Sequence, residues 1–121
     1  MRGFGELESM IMSRVWAADH PLAVRDVLES LRPDHDVAYT TVMTVMDNLY
    51  RKGWLTRERD GRAYLYSAVA SREEYSADLM REALSSSTDA ATTLAHFMGQ
   101  LSPDESDHVR KALRRASRKR T

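Results

Sequence analysis

The sequence contains no cysteine, which excludes disulfide bonds, thiolate metal sites and cysteine nucleophiles. No apolar run approaches the roughly 20 residues that a membrane-spanning helix needs. The first residues also lack the basic, apolar and small-residue order of an export signal. We therefore expect a cytoplasmic protein with no membrane partner. With 121 residues, the chain can form one compact domain, or a small domain with an appendage that needs a partner.

The residue patterns of common enzymes are absent as well. No glycine-rich phosphate loop appears, and no serine, histidine and acid set is suggested by spacing. The four histidines are scattered, without the spacing of a metal site, and each is interpreted as a surface residue. They are His20, His35, His96 and His108. We predict that the chain is not an enzyme and uses no cofactor and no metal.

The net charge is zero, because 18 basic residues balance 18 acidic ones. The placement of charges is more informative than this sum. Between Arg51 and Arg62 there are five basic residues and only two acidic ones, Glu58 and Asp60. Such a run either contacts phosphates or forms a solvated surface. The basic residues from Arg110 onward are interpreted as a solvated helix end, where the helix dipole favours cations.

Hydrophobic spacing predicts three helices followed by a β-hairpin. Apolar residues at three- and four-residue steps predict helices over about 6–18 and 38–52, with a short one between them. Gly53 ends the third helix, and the period then changes to two. Asp60-Gly61 between the two extended runs predicts a type I′ turn, which needs positive φ at both central residues. Three helices and a hairpin make up a winged helix.

From Ser71 onward the pattern is helical again. Ser71 and Ser102 each begin a capping-box pattern with a glutamate three residues later, and another helix is predicted over about 89–101. The predicted fold is therefore mainly α with a small β-hairpin. A winged helix-turn-helix domain at 1–70 precedes a C-terminal helical dimerisation region at 71–121.

The predicted third helix has two faces of different composition. One is apolar and is expected to pack on the first two helices. Its members are Val42, Val45, Met46 and Leu49. The other face carries hydroxyl and amide groups, which can bond base edges and phosphates, and threonine methyls, which can rest against thymine methyls. Threonine is a poor helix former. Three threonines within five positions, Thr40, Thr41 and Thr44, therefore favour a DNA-binding role over a solvated surface without function.

The hairpin adds basic side chains beside its turn, where they can reach phosphates or the minor groove. The alternative is that these arginines only keep an exposed hairpin soluble. The residues predicted to bind DNA are Tyr39, Thr40, Thr41, Thr44, Asn48, Arg51, Lys52, Arg59 and Arg62.

The helices after the hairpin have too few apolar residues to form a core alone, so we predict that they pair with a second copy. The alternative is that they fold back on the winged helix. The predicted dimerisation residues are Tyr75, Leu79, Leu84, Leu94, Phe97, Met98, Val109 and Leu113. A dimer would bind two half-sites about one helical turn apart, or a multiple of it.

Two stretches closely resemble the penicillinase-repressor family, the BlaI/MecI type. They are GELESMIMSRVWAADHPLAVRDVLESL and YTTVMTVMDNLYRKGWLTRERDGRAYLYSAVAS. The most specific parts are the TTVMT run, the lysine-glycine helix end and the glycine-arginine-aromatic turn. The resemblance implies a homodimeric repressor that binds an inverted-repeat operator in double-stranded DNA. It also implies that the target is a beta-lactamase or related operon.

The resemblance also implies residue roles. The matching threonines Thr40, Thr41 and Thr44 would face the major groove, with Arg51, Lys52 and Arg62 near phosphates. Inactivation by a sensor protease is implied too, with the cut between His96 and Phe97. This sequence has His96 where the staphylococcal members have asparagine.

Two other interpretations keep the fold and change the function. One is a metal-responsive repressor, whose copper-responsive examples carry cysteine pairs near the C-terminus that this chain lacks. The other is a winged helix used only as a protein-interaction module, which would need neither the threonine face nor the basic hairpin. The salt dependence of binding to random duplex DNA distinguishes the module from a DNA-binding protein.

Overall fold

The computed structural model describes residues 3–120, and these form six helices and one two-stranded antiparallel sheet. The elements are α1 (Glu6–Ala17), α2 (Val24–Leu31), α3 (Tyr39–Arg51), β1 (Leu55–Asp60), β2 (Ala63–Ala68), α4 (Arg72–Ser85), α5 (Ala90–Gly99) and α6 (Pro103–Arg120). The predicted fold class is confirmed. The chain divides into two compact units, Met1–Leu79 and Met80–Thr121.

The first unit has one core, formed where α1, α2 and α3 pack together. Each helix contributes one stripe of apolar side chains at three- and four-residue steps, which is the spacing that places side chains on one helix face. The α3 stripe is the predicted one: Val42, Met46 and Leu49 are fully buried, and Val45 packs against the same core. The opposite face of α3 is thereby left toward solvent.

A glycine-dependent motif ends α3. The N–H of Gly53 donates to the Tyr50 carbonyl at 3.0 Å, and the N–H of Trp54 donates to the Leu49 carbonyl at 2.9 Å. These two bonds form a Schellman motif, which needs a left-handed residue at its centre, and Gly53 has φ +89°. The motif turns the chain out of the helix and directly into β1.

The hairpin of β1 and β2, which we call the wing, has a turn that differs from the predicted one. Asp60 pairs with Ala63, so the central turn residues are Gly61 and Arg62 instead of Asp60 and Gly61. Gly61 has φ +62°, and no other described residue except Gly53 has positive φ. One positive φ, at a glycine in the first central position, is typical of a type II′ turn. The predicted type I′ turn was therefore wrong, since it would force a left-handed backbone on a non-glycine residue.

The wing is joined to the helices by a short bridge that the sequence did not reveal. Leu22 and Tyr66 exchange both backbone hydrogen bonds, at 2.9 and 2.8 Å. Both side chains are buried in the core. The bridge fixes the body end of β2 against the segment between α1 and α2.

Tyr75 lies in an aromatic cluster of the first unit. Its ring contacts the rings of Phe4, Trp16 and Trp54, with centroid distances of 4.2, 5.6 and 5.1 Å. The side chain is 9% exposed. Tyr75 was predicted to meet a second copy; the structure instead buries it within its own chain, because Phe4 and the two tryptophans leave an aromatic surface for it to cover. The first unit accordingly extends to Leu79, beyond the boundary predicted at residue 70.

Two predicted capping boxes are confirmed. Ser71 Oγ accepts from the N–H of Glu74 at 3.0 Å, and Glu74 Oε1 accepts from the N–H of Ser71 at 3.2 Å. Ser102 and Glu105 make the same reciprocal pair at 3.1 and 2.9 Å. These bonds satisfy amide groups that the first turn of a helix leaves unpaired, and so fix where α4 and α6 begin.

Candidate nucleic-acid interface

The outward face of α3 presents polar side chains that the fold itself does not use. Thr40, Thr41, Thr44 and Asn48 are all exposed. Within the part of the chain that the structure describes, none of the four makes a side-chain hydrogen bond or ion pair. Tyr39, at the start of the same helix, is also exposed. The face can therefore offer hydroxyl and amide groups to another molecule without breaking an internal contact.

Arg51 lies at the C-terminal end of this face, and its side chain forms an ion pair with a residue of the same helix. Its Nε donates to Asp47 Oδ2 at 3.0 Å, one turn earlier. The side chain is still 74% exposed. An exposed pair of this kind adds little stability, so the guanidinium keeps donors that can reach a phosphate.

Lys52 follows Arg51 and is tied to the start of α1. Its Nζ lies 3.0 Å from Glu8 Oε2, while Glu8 Oε1 accepts from the N–H of Gly5 at 3.0 Å. The hydrogen bond from Gly5, followed by that from Lys52, holds the pKa of Glu8 below its ordinary value of 4.5. The Lys52 ammonium is thus positioned beside the end of α3 by a carboxylate.

The two predicted wing arginines differ in their surroundings. Arg62 occupies the second central position of the turn and is exposed, with no hydrogen bond or ion pair to any residue between 3 and 120. Arg59 Nε donates to the Gly61 carbonyl at 3.2 Å, and its guanidinium lies 5.5 Å from the centre of the Tyr64 ring. Arg62 is therefore the freer of the two cations at the wing tip.

A third wing arginine, Arg57, was counted in the basic run but was not predicted to belong to the site. Its guanidinium lies between the rings of Tyr50 and Tyr64, 4.0 and 4.1 Å from their centres. Its Nη1 donates to Asp47 Oδ1 at 3.0 Å and to the Tyr66 hydroxyl at 3.4 Å. The hydrogen bond to Tyr66, more than the one to Asp47, raises the pKa of Arg57. Tyrosines at alternate positions of β2 were the available signal, but their partner on α3 could not be read from spacing.

The second unit carries an exposed apolar surface. Met80, Ala83 and Leu84 line a groove with Thr93, Leu94 and Phe97. Phe97 is 42% exposed and Leu113 is 61% exposed. Met98 is exposed too, whereas Leu84 and Val109 are half-buried. Leu79, which is half-buried, lies in the first unit, so the predicted dimerisation residues do not form one set within either unit.

The predicted cleavage residues His96 and Phe97 lie inside α5. Both are exposed, and the His96–Phe97 bond is followed by only three helical residues, Phe97 to Gly99. Among residues 3–120, no three histidine, aspartate or glutamate side chains come together to hold a metal ion. Every helix in that range is too short or too polar to cross a membrane.

Comparison with known proteins decides what kind of winged helix this is. The family model described as "Penicillinase repressor" matches residues 4–115. The chain belongs to the penicillinase repressor family. The transcriptional regulator BlaI of Mycobacterium tuberculosis is 40% identical over 112 residues, which cover 90% of this chain and 81% of BlaI. This member of the penicillinase repressor family is thus a transcriptional regulator and not an enzyme, as predicted.

Solved structures agree on the fold of this family member. The DNA-binding domain of the repressor BlaI superposes with a TM-score of 0.53 at 20% identity, covering 62% of this chain and 94% of that domain. A MepR variant of S. aureus, bound to an oligodeoxyribonucleotide, superposes with a TM-score of 0.54 at 16% identity, covering 98% of this chain and 80% of MepR. At these identities the likeness establishes the winged-helix fold alone.

Proposed function

We propose that the protein is a homodimeric repressor that binds an inverted-repeat operator in double-stranded DNA. The observation that carries this proposal is the unpartnered row of Thr40, Thr41, Thr44 and Asn48 on α3. A helix of this width fits the major groove, where such groups distinguish base pairs by hydrogen bonds and methyl contacts. Arg51 and Lys52 at one end of the row supply charge for the phosphates that flank the groove.

The wing completes the proposed contact. Arg62 at the turn is exposed and unpartnered within residues 3–120, so its charge is available to a phosphate or to the minor groove beside the helix. Arg59 adds a second cation at the same tip. Phosphate contacts of this kind position the protein and make its affinity fall with salt, but they do not read sequence.

Dimerisation is proposed from the apolar surface of the second unit. Leu94, Phe97, Met98 and Leu113 are large apolar side chains exposed in a single chain, and contiguous apolar patches on soluble proteins usually mark an interface. A second copy covers them with the same surface, because a two-fold interface is self-complementary. Two copies then present two α3 helices to a palindromic site, at half-sites spaced by whole turns of DNA.

Relief of repression is proposed to follow proteolysis between His96 and Phe97 by a sensor protease. The bond lies within α5, so this short helix must unwind locally before the bond can enter a protease cleft. The cut would separate Leu94 from Met98 and α6, and would thereby divide the proposed interface. We further propose cytoplasmic action at a beta-lactamase or related operon.

The test begins with genomic footprinting of the purified protein, followed by binding to the recovered site at several salt concentrations. We expect a palindrome, a dimer in analytical ultracentrifugation, and a steep fall of affinity with salt. Inserting about half a helical turn of DNA between the half-sites should abolish tight binding, and inserting a full turn should restore part of it. A monomer that binds no palindrome would refute the proposal, and a flat salt response would favour a protein-interaction module.

A further inference from the structure

Leu55 and Tyr66 join the wing to the core that α3 helps to form. Among residues 3–120, Arg57 is the wing side chain that adds an ion pair and an aromatic contact to α3 itself. Tyr50 and Asp47 of α3 contact the guanidinium from one side, at 4.0 Å from ring centre and 3.0 Å from Oδ1. The guanidinium also lies over the ring of Tyr64 in β2, 4.1 Å from its centre, and the Tyr66 hydroxyl accepts from Nη1 at 3.4 Å. Arginine stacks on aromatic faces and donates in the plane of its fork at the same time. The Arg57 guanidinium stacks on tyrosine rings and donates hydrogen bonds at the same time.

The outer part of the wing, beyond the buried Leu55 and Tyr66, has little other support. A two-stranded hairpin alone is marginally stable in water, and the backbone bridge of Tyr66 to Leu22 holds it at the body end of β2. Beyond Arg57 the strands continue through three more residue pairs, from Glu58 with Leu65 to Asp60 with Ala63. Arg62 lies past the last of them. The direction of this overhang relative to α3 depends on what holds its base.

We propose that Arg57 is a positioning residue that holds the wing in a fixed orientation to α3, so that Arg62 meets DNA while the threonine row is in the major groove. This inference rests on the proposed DNA-binding function. Arg57 acts through Arg62 and does not itself bind phosphate. Its side chain is 21% exposed, against 74% for Arg51. The rings of Tyr50 and Tyr64 lie against its guanidinium, and its Nη1 is hydrogen-bonded within the chain.

Arg57 also compensates an unfavourable charge. Asp47 lies on the recognition helix, where a carboxylate repels phosphates. Its two oxygens accept from Arg57 Nη1 and Arg51 Nε, both at 3.0 Å. Charge neutralisation alone, however, would be preserved by lysine, whereas flat stacking between two rings and the fork geometry would not. This difference separates positioning from simple charge.

The test is a double-mutant cycle of Arg57→Lys and Arg62→Ala on operator DNA, with salt titrations for each protein. Arg57→Lys keeps the net charge, yet we expect about three- to tenfold weaker operator binding and a salt slope lowered by about one. That loss of slope matches the one expected for Arg62→Ala. In the Arg57→Lys background, Arg62→Ala should have less than about a twofold further effect, because coupled residues are not additive.

Arg72→Lys is the matched control. Arg72 also lies over an aromatic ring, with its guanidinium 5.1 Å from the centre of the Trp16 ring, but Trp16 belongs to α1 and not to α3 or the wing. We expect unchanged operator affinity and salt slope. If Arg57→Lys is too unstable to test, Tyr64→Leu removes the wing side of the stack and should show the same coupling to Arg62→Ala.

The outcomes distinguish a failure of the proposed DNA-binding function from a failure of the positioning role of Arg57. If the wild-type protein binds no palindrome, the proposed function fails. If it binds and the losses of Arg57→Lys and Arg62→Ala simply add, Arg57 contacts DNA on its own account or only supports the fold, and the positioning role is overturned. An unchanged salt slope in Arg57→Lys would overturn it as well.

Discussion

Tyr75 is stacked on Phe4, with ring centres 4.2 Å apart and planes inclined by 5°. The N–H of Phe4 donates to the Tyr75 hydroxyl at 2.9 Å. The two residues come from opposite ends of the first unit, so this contact closes it. A helix that follows the wing thus becomes part of the winged-helix core, and the predicted partner of Tyr75 in a second copy is replaced by Phe4.

The energetic role of Tyr75 follows from this packing. Tyr75→Ala removes a buried ring from a cluster of four aromatics and should cost about 3–5 kcal/mol of unfolding free energy, by analogy with other large aromatic truncations. Tyr75→Phe keeps the stack but leaves the Phe4 N–H without its acceptor, and should cost about 1–3 kcal/mol. Urea unfolding of both variants measures this. If both left the midpoint unchanged while dissociating a dimer, Tyr75 would be an interface residue after all.

If α3 reads bases directly, removing one of its polar side chains should lower the affinity by an amount that depends on the DNA sequence. Thr44→Ala should weaken operator binding by about 1–3 kcal/mol and relax the preference at one base pair. Thr44→Ser is the matched variant, because it keeps the hydroxyl and removes only the methyl group. Binding is measured against the operator and its single-base variants. Equal losses on operator and random DNA would contradict direct readout by Thr44.

The contrast between α3 and its surroundings shows what the sequence could predict. The outward threonine row and the buried Val42, Met46 and Leu49 are set by a period within one helix, so local spacing was sufficient. The end at Gly53 was equally local, since a Schellman motif needs only its own few residues. Both capping boxes were predicted for the same reason.

Most of the features that the sequence did not reveal are contacts between different secondary-structure elements. Tyr75 with Phe4, Tyr66 with Leu22, and Arg57 with Tyr50 each join elements whose approach is decided by packing of the whole unit. An aromatic residue at helical spacing fits a dimer interface as well as the core of its own chain. Which of the two it joins is decided by the residues that fold next to it. The turn at Gly61 was misplaced by one residue because strand register, and not the Asp-Gly pair alone, selects the turn type.

The ionisation of Glu8 should make part of the free energy of unfolding depend on pH. Its folded-state pKa is lowered mainly by the Gly5 N–H and then by Lys52, so the ionised form is favoured in the folded state. The stabilisation is fully present above the ordinary pKa of 4.5 and is lost as the pH falls through the depressed folded value. Glu8→Gln should therefore be less stable than the wild type at pH 7, by about 1 kcal/mol.

The difference between the two proteins isolates Glu8 from other acidic groups. Unfolding free energies of wild type and Glu8→Gln are compared from pH 7 down to acid. The gap should stay constant to about pH 5 and close below it, since the other carboxylates titrate alike in both proteins. A gap that persisted unchanged into strong acid would show that Glu8 acts by shape and not by charge.

The proposed dimer surface can be tested without DNA. Phe97→Glu places a carboxylate where the proposed two-fold interface buries an aromatic ring. Because each copy contributes the substituted residue, the unfavourable burial occurs twice per dimer. We expect the dimer dissociation constant, measured by sedimentation, to rise at least about a hundredfold. His96→Glu is the matched control, because a residue two positions after Leu94 lies on nearly the opposite side of α5. If both variants dissociated alike, general damage to α5 would explain the result; if neither did, the apolar groove beside Phe97 would not be where the copies meet.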